Sequence, residues 1–286
     1  MPPQIAVPST CRALHGRPQI AERPVVISRL FQSILPPRRT PSGRARLVEA
    51  EWPAAIYAIG DVHGCREQLE DLQAAIVADA SATQGEKWLV MLGDYVDRGP
   101  DSAGVLDLLM RPAPAGFRRI CLCGNHEQLM LDFVSSLDLE SNWLKWGGLK
   151  TLASYGLSPT DLPNMSRKAL RQALDYLVPP EHLDFMRGLP VALRLPDVAF
   201  VHAGVRPDIA FEDQQDDDLI WIREPFLSTE DHPGYLVVHG HTPESSPTIL
   251  PHRIGIDTCA FGGGPLTALR LMPGKPVHFL QAFPRS

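Results

Sequence analysis

From residue 56 onward, the apolar positions of the chain follow two alternating patterns. Short apolar runs, each closed by a glycine, predict strands at Ile56–Ile59, Trp88–Leu92 and Ile120–Cys123. Each run is followed by apolar residues at helical spacing, first over Arg66–Ala80, and Asp101 is a candidate N-cap for the second helix. Strand–turn–helix therefore occurs three times in units of about thirty residues, which predicts neighbouring and largely parallel strands.

The second half of the chain has a different pattern. Residues 138–190 are mostly of helical type, with a candidate N-cap at Ser166, and we interpret them as a helical insertion. The pattern then returns to strands, predicted at Asp197–Val201, Tyr235–Val238, Ile254–Asp257, Leu266–Leu271 and Val277–Leu280. We expect these strands to form a second sheet. The predicted fold class is α/β (α+β), with two packed sheets and helices outside them.

The amino-terminal residues have a different composition. Residues 1–48 contain eight Arg, eight Pro and a single acidic residue, Glu22. We predict that residues 1–50 are a disordered tail, and that one domain spans residues 51–286. An Arg-rich start also resembles an organelle transit peptide, and a wrongly chosen start codon is a further alternative. Within the tail, Val25–Leu35 has the pattern of a short helix.

Composition and charge exclude several classes of protein. The net charge of the chain is −6, and because residues 1–48 carry +7, the remaining residues carry −13. An acidic body argues against a nucleic-acid partner. The sequence contains no secretory signal and no apolar run near the roughly 18 residues of a membrane span. The five cysteines are an odd number without a CxxC pair, so we expect reduced thiols in a reducing compartment, the cytoplasm. We also expect a monomer.

The three glycine turns carry the candidate chemistry. They read GDVHG at 60–64, GDYVDRG at 93–99 and GNHE at 124–127. Each lies just beyond the carboxyl end of a predicted strand, the edge at which ligands bind in open α/β sheets. Adjacent parallel strands are expected to bring Asp61, Asp94 and Asn125 together.

Two later turns add imidazoles, HAG at 202–204 and HGHT at 239–242. Taken singly, each residue has a plainer interpretation as a turn residue or a structural histidine. The five motifs together predict a set of oxygen and nitrogen ligands that suits Mn²⁺, Fe²⁺ or Zn²⁺. Two such ions sharing one carboxylate would lie about 3.5–4 Å apart and could promote an in-line displacement at phosphorus.

This set of motifs resembles the PPP-type, calcineurin-like metallophosphoesterases, and is most similar to the small bacterial and bacteriophage lambda-type Ser/Thr phosphatases. The resemblance covers roughly residues 55–272. It includes the stretch GGLKTLASYG at 147–156, the segment Trp221–Glu224 and the segment Ile256–Thr258. It implies a four-layer αββα sandwich of two mixed sheets flanked by helices.

The resemblance also implies a site with two divalent metal ions, most simply Mn²⁺. The implied metal ligands are Asp61, His63 and the bridging Asp94 for one ion, and Asp94, Asn125, His202 and His241 for the other. His239 matches no ligand position. In phosphodiesterase relatives a further metal-binding histidine follows the GHT motif, and here that position is Pro243, which favours a monoesterase.

The expected mechanism is direct attack on phosphorus by a hydroxide that bridges the two metals. Arg98 and Arg223, together with Asn125, would bind the phosphate, because a guanidinium donates two parallel hydrogen bonds to two oxygens. His126 would protonate the leaving alkoxide as general acid, and Asp97 would orient its ring and stabilise its charged form.

Two charged features have plainer alternatives. Arg223 could instead form a surface ion pair with Glu224. The acidic residues Asp213, Asp216, Asp217 and Asp218 could repel acidic substrates or bind a cation, or could simply form a solvated face.

The motifs identify the phosphate and the metals but not the rest of the substrate. A phosphoprotein is our main expectation, so the predicted enzyme is a Ser/Thr protein phosphatase, and small phosphomonoesters stay open. The principal alternative is a symmetrical dinucleoside tetraphosphatase, whose relatives tend to lack the carboxylate at Asp97 and to carry aspartate in place of Glu127. A non-catalytic binding module is an alternative of another class, but it should have lost a ligand or the acid, and every position is filled.

Overall fold

The computed structural model describes residues 43–231 and 233–285. The strands are β1 Arg46–Val48, β2 Ala55–Ile59, β3 Lys87–Met91, β4 Phe117–Cys121, β5 Ala192–Arg194, β6 Val198–Val201, β7 Leu236–His239, β8 Thr248–Ile249, β9 Arg253–Gly255, β10 Leu266–Leu271 and β11 His278–Ala282. The α-helices are α1 Arg66–Asp79, α2 Ser102–Met110, α3 Asn125–Ser136, α4 Leu149–Ser154, α5 Arg167–Leu177, α6 Pro180–Gly188 and α7 Asp216–Trp221.

The first sheet has the strand order β11-β10-β2-β3-β4. Strands β2, β3 and β4 are parallel, as the three strand–turn–helix units predict. In register, Ile59 pairs with Met91, and Met91 pairs with Cys121. The carboxyl ends of these three strands are therefore level, and the three glycine turns leave the sheet side by side.

The second sheet has the order β1-β5-β6-β7-β9-β8 and mixes parallel and antiparallel pairs. The expectation that all late strands join this sheet is wrong for the last two. Strand β10 pairs antiparallel with β2, and β11 pairs antiparallel with β10, so both extend the first sheet. Alternation along a strand determines which side chains are buried but carries no information about the pairing partner.

The two sheets pack face to face, and the period of two along β2 shows how. Ile56 and Ala58 contribute to the apolar core between the sheets, together with Phe200 of β6 and Val238 of β7. Tyr57 and Ile59, one position out of phase, belong to the core beneath the helices. All five residues of β2 are buried, which is typical of a strand covered on both faces. The fold is thus a four-layer arrangement of two mixed sheets flanked by helices.

The amino-terminal boundary differs from the sequence interpretation, which placed residues 43–50 in a disordered tail. Strand β1 lies parallel to β5 at the edge of the second sheet. Arg46 forms an ion pair of 2.7 Å with Asp216, and the Arg44 guanidinium donates to the carbonyl oxygens of Met186 and Leu189 at the end of α6. These partners lie more than 140 residues away along the chain, so no local pattern indicates the strand. The rest of the predicted tail, with its helical pattern over Val25–Leu35, lies outside the described residues.

Residues 138–190 contain a π-helical turn at Leu144–Gly148 that runs into α4, followed by α5 and α6. Both N-caps expected from the sequence form: Asp101 accepts the N–H of Gly104 at 2.8 Å, and Ser166 accepts that of Ala169 at 3.2 Å.

Two of the four acidic residues at 213–218 are paired with arginines, and the other two, Asp213 and Asp217, are exposed. In addition to the Arg46–Asp216 pair, Asp218 forms a bidentate ion pair with Arg206. Among the described helices, none is long and apolar enough to cross a lipid bilayer.

Candidate metal centre and active site

The loops after β3 and β4 touch each other at two glycines, Gly93 and Gly124. A Cβ on Gly93, whose φ is +107°, would lie 2.5 Å from the backbone nitrogen of Gly124. A Cβ on Gly124 would lie 2.2 Å from Oδ1 of Asp94. Only glycine permits this approach, which places Asp94 directly beside the loop that carries Asn125.

Backbone strain is concentrated at the same place. Among the described non-glycine residues, seven have positive φ, and five of them are predicted site residues: His63, Asp94, Asp97, Arg98 and His241. Such conformations are costly and persist where the surrounding structure imposes them, characteristically at active sites.

Asp94 lies at the centre of two buried clusters of potential metal ligands. Its Oδ2 is 3.4 Å from Nε2 of His63, and its Oδ1 is 3.3 Å from Nε2 of His202. Nδ1 of His241 lies 3.2 Å from Nε2 of His202, and Oδ1 of Asn125 lies 2.9 Å from both of these nitrogen atoms. One carboxylate therefore reaches two groups of donors, as the expectation of a shared ligand requires.

Asp61 is placed somewhat differently from the other expected ligands. Its carboxylate accepts the backbone N–H of His241 at 3.1 Å, and it lies outside the two clusters, while His126 lies inside the first of them. Burial, and then the negative charge of Asp257, raise the pKa of Asp61 well above its usual value. Asp257 is itself buried, and its Oδ2 has no hydrogen-bond partner among the described residues. The sequence indicated Asp257 only as part of the segment Ile256–Thr258 and predicted no role for it.

The donor set fits divalent cations, and the histidine tautomers are fixed to suit them. Nδ1 of His63 lies 2.8 Å from the carbonyl oxygen of Val96, and Nδ1 of His202 lies 3.0 Å from that of Leu92. If each Nδ1–H donates to its carbonyl, each Nε2 is left with a lone pair directed into the cluster. Within the described structure, Nε2 of His63 is buried without a hydrogen-bond partner. A buried nitrogen lone pair facing a carboxylate is the arrangement expected of a metal ligand.

The pKa shifts favour the metal-binding form of His63, His241 and Asp94, but not that of Asp61 or His202. Burial alone would lower the pKa of His202, but the charges of Asp94 and Asp61 outweigh it and raise that pKa to about 9. Burial lowers the pKa of His63 and of His241, which keeps both rings neutral. Burial alone would raise the pKa of Asp94, but the surrounding histidines, His202 first among them, outweigh it and hold that pKa well below its usual range. Metal binding requires neutral imidazoles and an ionised carboxylate.

His126 and Asp97 form a second buried pair beside the cluster. Nδ1 of His126 lies 2.6 Å from Oδ2 of Asp97, while Nε2 of His126 lies 3.9 Å from Oδ2 of Asp94. Burial alone would lower the pKa of His126, but the charges of Asp94 and Asp97 outweigh it and raise that pKa above its usual value. The geometry is that of a histidine with an orienting carboxylate on one nitrogen, while the other nitrogen faces Asp94 and the guanidinium of Arg98.

Asp97 is held by residues to which sequence reasoning gave no role. Trp143 donates its indole N–H to Oδ2 at 2.8 Å, and Thr151 donates its hydroxyl to Oδ1 at 2.6 Å. The backbone N–H of Asp97 donates to the hydroxyls of Thr151 and Ser102. The stretch GGLKTLASYG contains Thr151, and this was the one available signal that the helical residues reach the site.

Glu127 holds the backbone behind the cluster and does not face the substrate side. It is fully buried, and its two oxygens accept four backbone N–H groups, from Gly124, Asp94, Tyr95 and Val96. A glutamate here reflects the geometry of the loop, so its presence in place of aspartate does not bear directly on the substrate.

The two expected phosphate-binding arginines are both near the cluster. Nη2 of Arg98 lies 3.0 Å from Nε2 of His126, and its guanidinium lies 4.7 Å from the ring centre of Phe261. Phe261 also contacts the ring of His63 edge to face, and the sequence did not indicate this residue. Arg223 is exposed, and its charge is close enough to lower the pKa of His241, after the larger effects of burial and His202.

His239 lies apart from the ligands, as the sequence interpretation proposed. Its Nδ1 is 3.0 Å from the carbonyl oxygen of Gly240, and Arg253 donates to its Nε2 at 3.2 Å. Both ring nitrogens are therefore already engaged.

The chain is similar to known proteins, two by sequence and one by structure. An asymmetrical bis(5'-nucleosyl)-tetraphosphatase of Oceanobacillus iheyensis is 26% identical over 235 residues, covering 75% of this chain and 88% of the relative. A symmetrical bis(5'-nucleosyl)-tetraphosphatase of Shewanella oneidensis is 29% identical over 220 residues, covering 76% of this chain and 68% of the relative. A crystal structure described as a candidate diadenosine tetraphosphatase superposes with a TM-score of 0.59 at 25% identity, covering 84% of this chain and 99% of that chain.

The family itself is established by a sequence model of the calcineurin-like phosphoesterases, which matches residues 54–270. That span contains the five motifs, the whole ligand cluster, and both sheets except β1, β11 and the last residue of β10. The chain belongs to the calcineurin-like phosphoesterase family and is a metallophosphoesterase.

Proposed function

We propose that the protein hydrolyses dinucleoside polyphosphates, with His126 as the proton donor to the leaving nucleotide. The observation that carries the reaction type is the position of Nε2 of His126, 3.0 Å from the Arg98 guanidinium and 3.9 Å from the Asp94 carboxylate. A proton donor, a phosphate-binding cation and a shared metal ligand thus converge on one point. The relatives named as tetraphosphatases support the choice of substrate.

The residues that would hold two divalent ions are Asp61, His63, Asp94, Asn125, His202 and His241. When bound, such ions supply an acidified water and neutralise charge on the phosphoryl oxygens. We favour Mn²⁺, with Fe²⁺ and Zn²⁺ as alternatives, because the donors are oxygen and imidazole nitrogen without thiolate.

The protein residues then act as follows. Arg98 and Arg223 bind and orient the phosphoryl group that is attacked. Oxygen from a water that has lost one proton to the solvent forms the new bond to phosphorus, and the bond from phosphorus to the leaving oxygen breaks. His126, in its protonated form, gives the proton on Nε2 to that oxygen. Asp97, fixed by Trp143 and Thr151, keeps the His126 ring in position and stabilises its positive charge.

A phosphoserine or phosphothreonine protein is the second candidate substrate, and the His126–Asp97 pair is the observation that favours it. An alkoxide is a poorer leaving group than a nucleotide phosphate and depends more on protonation. Two arguments from the sequence also favour this substrate. The first is the pair Asp97 and Glu127, and the second is Pro243. The first of these arguments now rests on Asp97 alone, because Glu127 binds the backbone.

The deciding experiment is a substrate panel with Mn²⁺-loaded protein. Diadenosine tetraphosphate, a phosphoserine peptide and a phosphothreonine peptide are compared by kcat/KM, and the nucleotide products are separated chromatographically. We expect kcat/KM for the dinucleotide to exceed that for the peptides by about tenfold or more. Two molecules of ADP would indicate symmetrical cleavage, and ATP with AMP asymmetrical cleavage. A preference for the phosphopeptides would overturn the proposal in favour of the second candidate.

A further inference from the structure

Two large aromatic side chains are exposed beside the metal cluster. Trp146 is 44% exposed and Trp221 is 37% exposed. Their ring centres lie 6.1 Å apart, and the ring of Trp221 lies 6.2 Å from that of the expected metal ligand His241. Exposed tryptophans grouped at the edge of a polar site are uncommon on a protein surface and are characteristic of a binding surface.

The backbone ties this tryptophan pair to both phosphate-binding arginines. Trp146 is followed by Gly147, whose carbonyl oxygen accepts the N–H of Arg98 and whose added Cβ would lie 2.6 Å from that nitrogen. Trp221 ends α7, two residues before Arg223. The pair therefore lies where the two arginine segments meet, next to the point at which the phosphoryl group would bind.

We propose that the nucleobase of a nucleotide whose phosphate occupies the metal cluster stacks on the exposed ring of Trp146, with the Trp221 ring, inclined at 62° to it, lying at one side of the platform. This inference deepens the proposed function and rests on it for the identity of the substrate. Every nucleobase has a flat π face, and stacking on an aromatic side chain recognises that face with little dependence on the base. The phosphates beyond it would lie between Arg98 and Arg223.

Within the described structure, Trp143 makes a useful contrast with its neighbour Trp146. Trp143 is fully buried, packs against Phe133 at 4.7 Å between ring centres and donates its N–H to Asp97. Trp143 thus holds Asp97, which in turn holds the ring of His126. Trp146, three residues later, is 44% exposed and contacts the ring of Trp221, so its ring is accessible to a ligand.

The test separates the contribution of the base to binding from that of the phosphate by comparing two matched ligands. Adenosine monophosphate and ribose 5-phosphate share the phosphate and the sugar, and only the first carries a base. Binding of each to the Mn²⁺-loaded protein is measured by titration calorimetry. In the unaltered protein we expect adenosine monophosphate to bind about five- to twentyfold more tightly, the contribution of one partly exposed stacked base.

Three variants locate the effect. Trp146→Ala should reduce the advantage of adenosine monophosphate to about twofold or less, and Trp146→Phe should keep part of it because the aromatic face is retained. Tyr176→Ala removes an aromatic ring that is 88% exposed on α5, away from the metal ligands, and should leave the advantage unchanged.

Several results would overturn the platform. They are equal binding of the two ligands by the unaltered protein, an advantage that survives Trp146→Ala, or a Trp146-dependent gain seen only for phosphopeptides with an aromatic residue. None of these requires turnover, so they are distinct from a failure of the proposed function. That failure would be seen as an inability to cleave diadenosine tetraphosphate while the advantage of adenosine monophosphate remains.

Discussion

The ring of His126 is held between Asp97, whose Oδ2 lies 2.6 Å from Nδ1, and Arg98, whose Nη2 lies 3.0 Å from Nε2. One nitrogen is fixed on a buried carboxylate, and the other faces the place where the phosphate would bind. Asp97 thus orients the proton donor, and Arg98 lies beside that donor where it would bind the phosphoryl group.

Replacing His126 with asparagine should reduce turnover most for substrates whose leaving group must be protonated. On an alkyl phosphate such as phosphoserine, kcat should fall by about 10²- to 10⁴-fold. On nitrophenyl phosphate the loss should be much smaller, because a phenolate leaves without protonation. The measurement is kcat on both substrates for His126→Asn and the unaltered protein. Equal losses on both would contradict the assignment of His126 as the acid.

Thr151→Val should disturb the His126–Asp97 pair, because Thr151 donates a hydrogen bond to the Asp97 carboxylate. Burial raises the pKa of Asp97, while the hydrogen bonds from His126 and Thr151 lower it. Removing the Thr151 hydroxyl therefore raises that pKa further. If activity needs Asp97 ionised, the acid limb of the pH–rate profile moves to higher pH, and kcat on phosphoserine falls by about tenfold.

Thr151→Ser is the matched control, because it keeps the hydroxyl that donates to Oδ1 of Asp97. Its acid limb should stay where it is in the unaltered protein. A Thr151→Val profile that drops in height without moving along the pH axis would show that Thr151 acts only through stability.

Asp94→Asn tests whether one carboxylate serves both clusters. Asparagine has the same shape and tolerates the positive φ of this position, so the change removes mainly the charge. We expect the variant to lose both metal ions together, as measured by elemental analysis after Mn²⁺ loading and gel filtration. Asp184→Asn, an exposed carboxylate on α6, is the control. Retention of one ion at full occupancy would show that the two groups of ligands are independent.

Glu127→Gln should destabilise the loops without touching the substrate side. The amide nitrogen of glutamine would face backbone N–H groups that now donate to Glu127, leaving buried donors without an acceptor. We expect the free energy of unfolding to fall by about 1–3 kcal/mol, measured by urea denaturation. Glu140→Gln, at an exposed glutamate, should leave the free energy of unfolding unchanged. An equally small effect of Glu127→Gln would refute the stabilising role of the four backbone hydrogen bonds to Glu127.

Much of the centre of the fold could be predicted, because local patterns specify it. The three parallel strands are confirmed, and the structure places Asp61, Asp94 and Asn125 at the level ends of those strands. Apolar runs closed by glycine identify strand ends, and strand ends of parallel neighbours meet at one edge. The clustering of the candidate ligands followed from that geometry.

The rest depends on contacts that leave no local pattern. Strand β1 is stabilised through Arg46 by Asp216, 170 residues away, and β10 finds its partner in β2 from the far end of the domain. Trp143 and Thr151 reach Asp97 across 46 and 54 residues. Periodicity describes which face of an element is buried, but it does not say which other element covers that face.

The hydrogen bonds from Trp143 and Thr151 to Asp97 have a consequence for how this protein can change. The same short helical stretch carries Trp146, so the segment that would select the ligand also sets the position of the proton donor. Exchanging this stretch for that of another family member would alter selectivity and turnover in one step. Divergence of specificity here should therefore proceed by point substitutions on the exposed side of the stretch, with its buried side left intact.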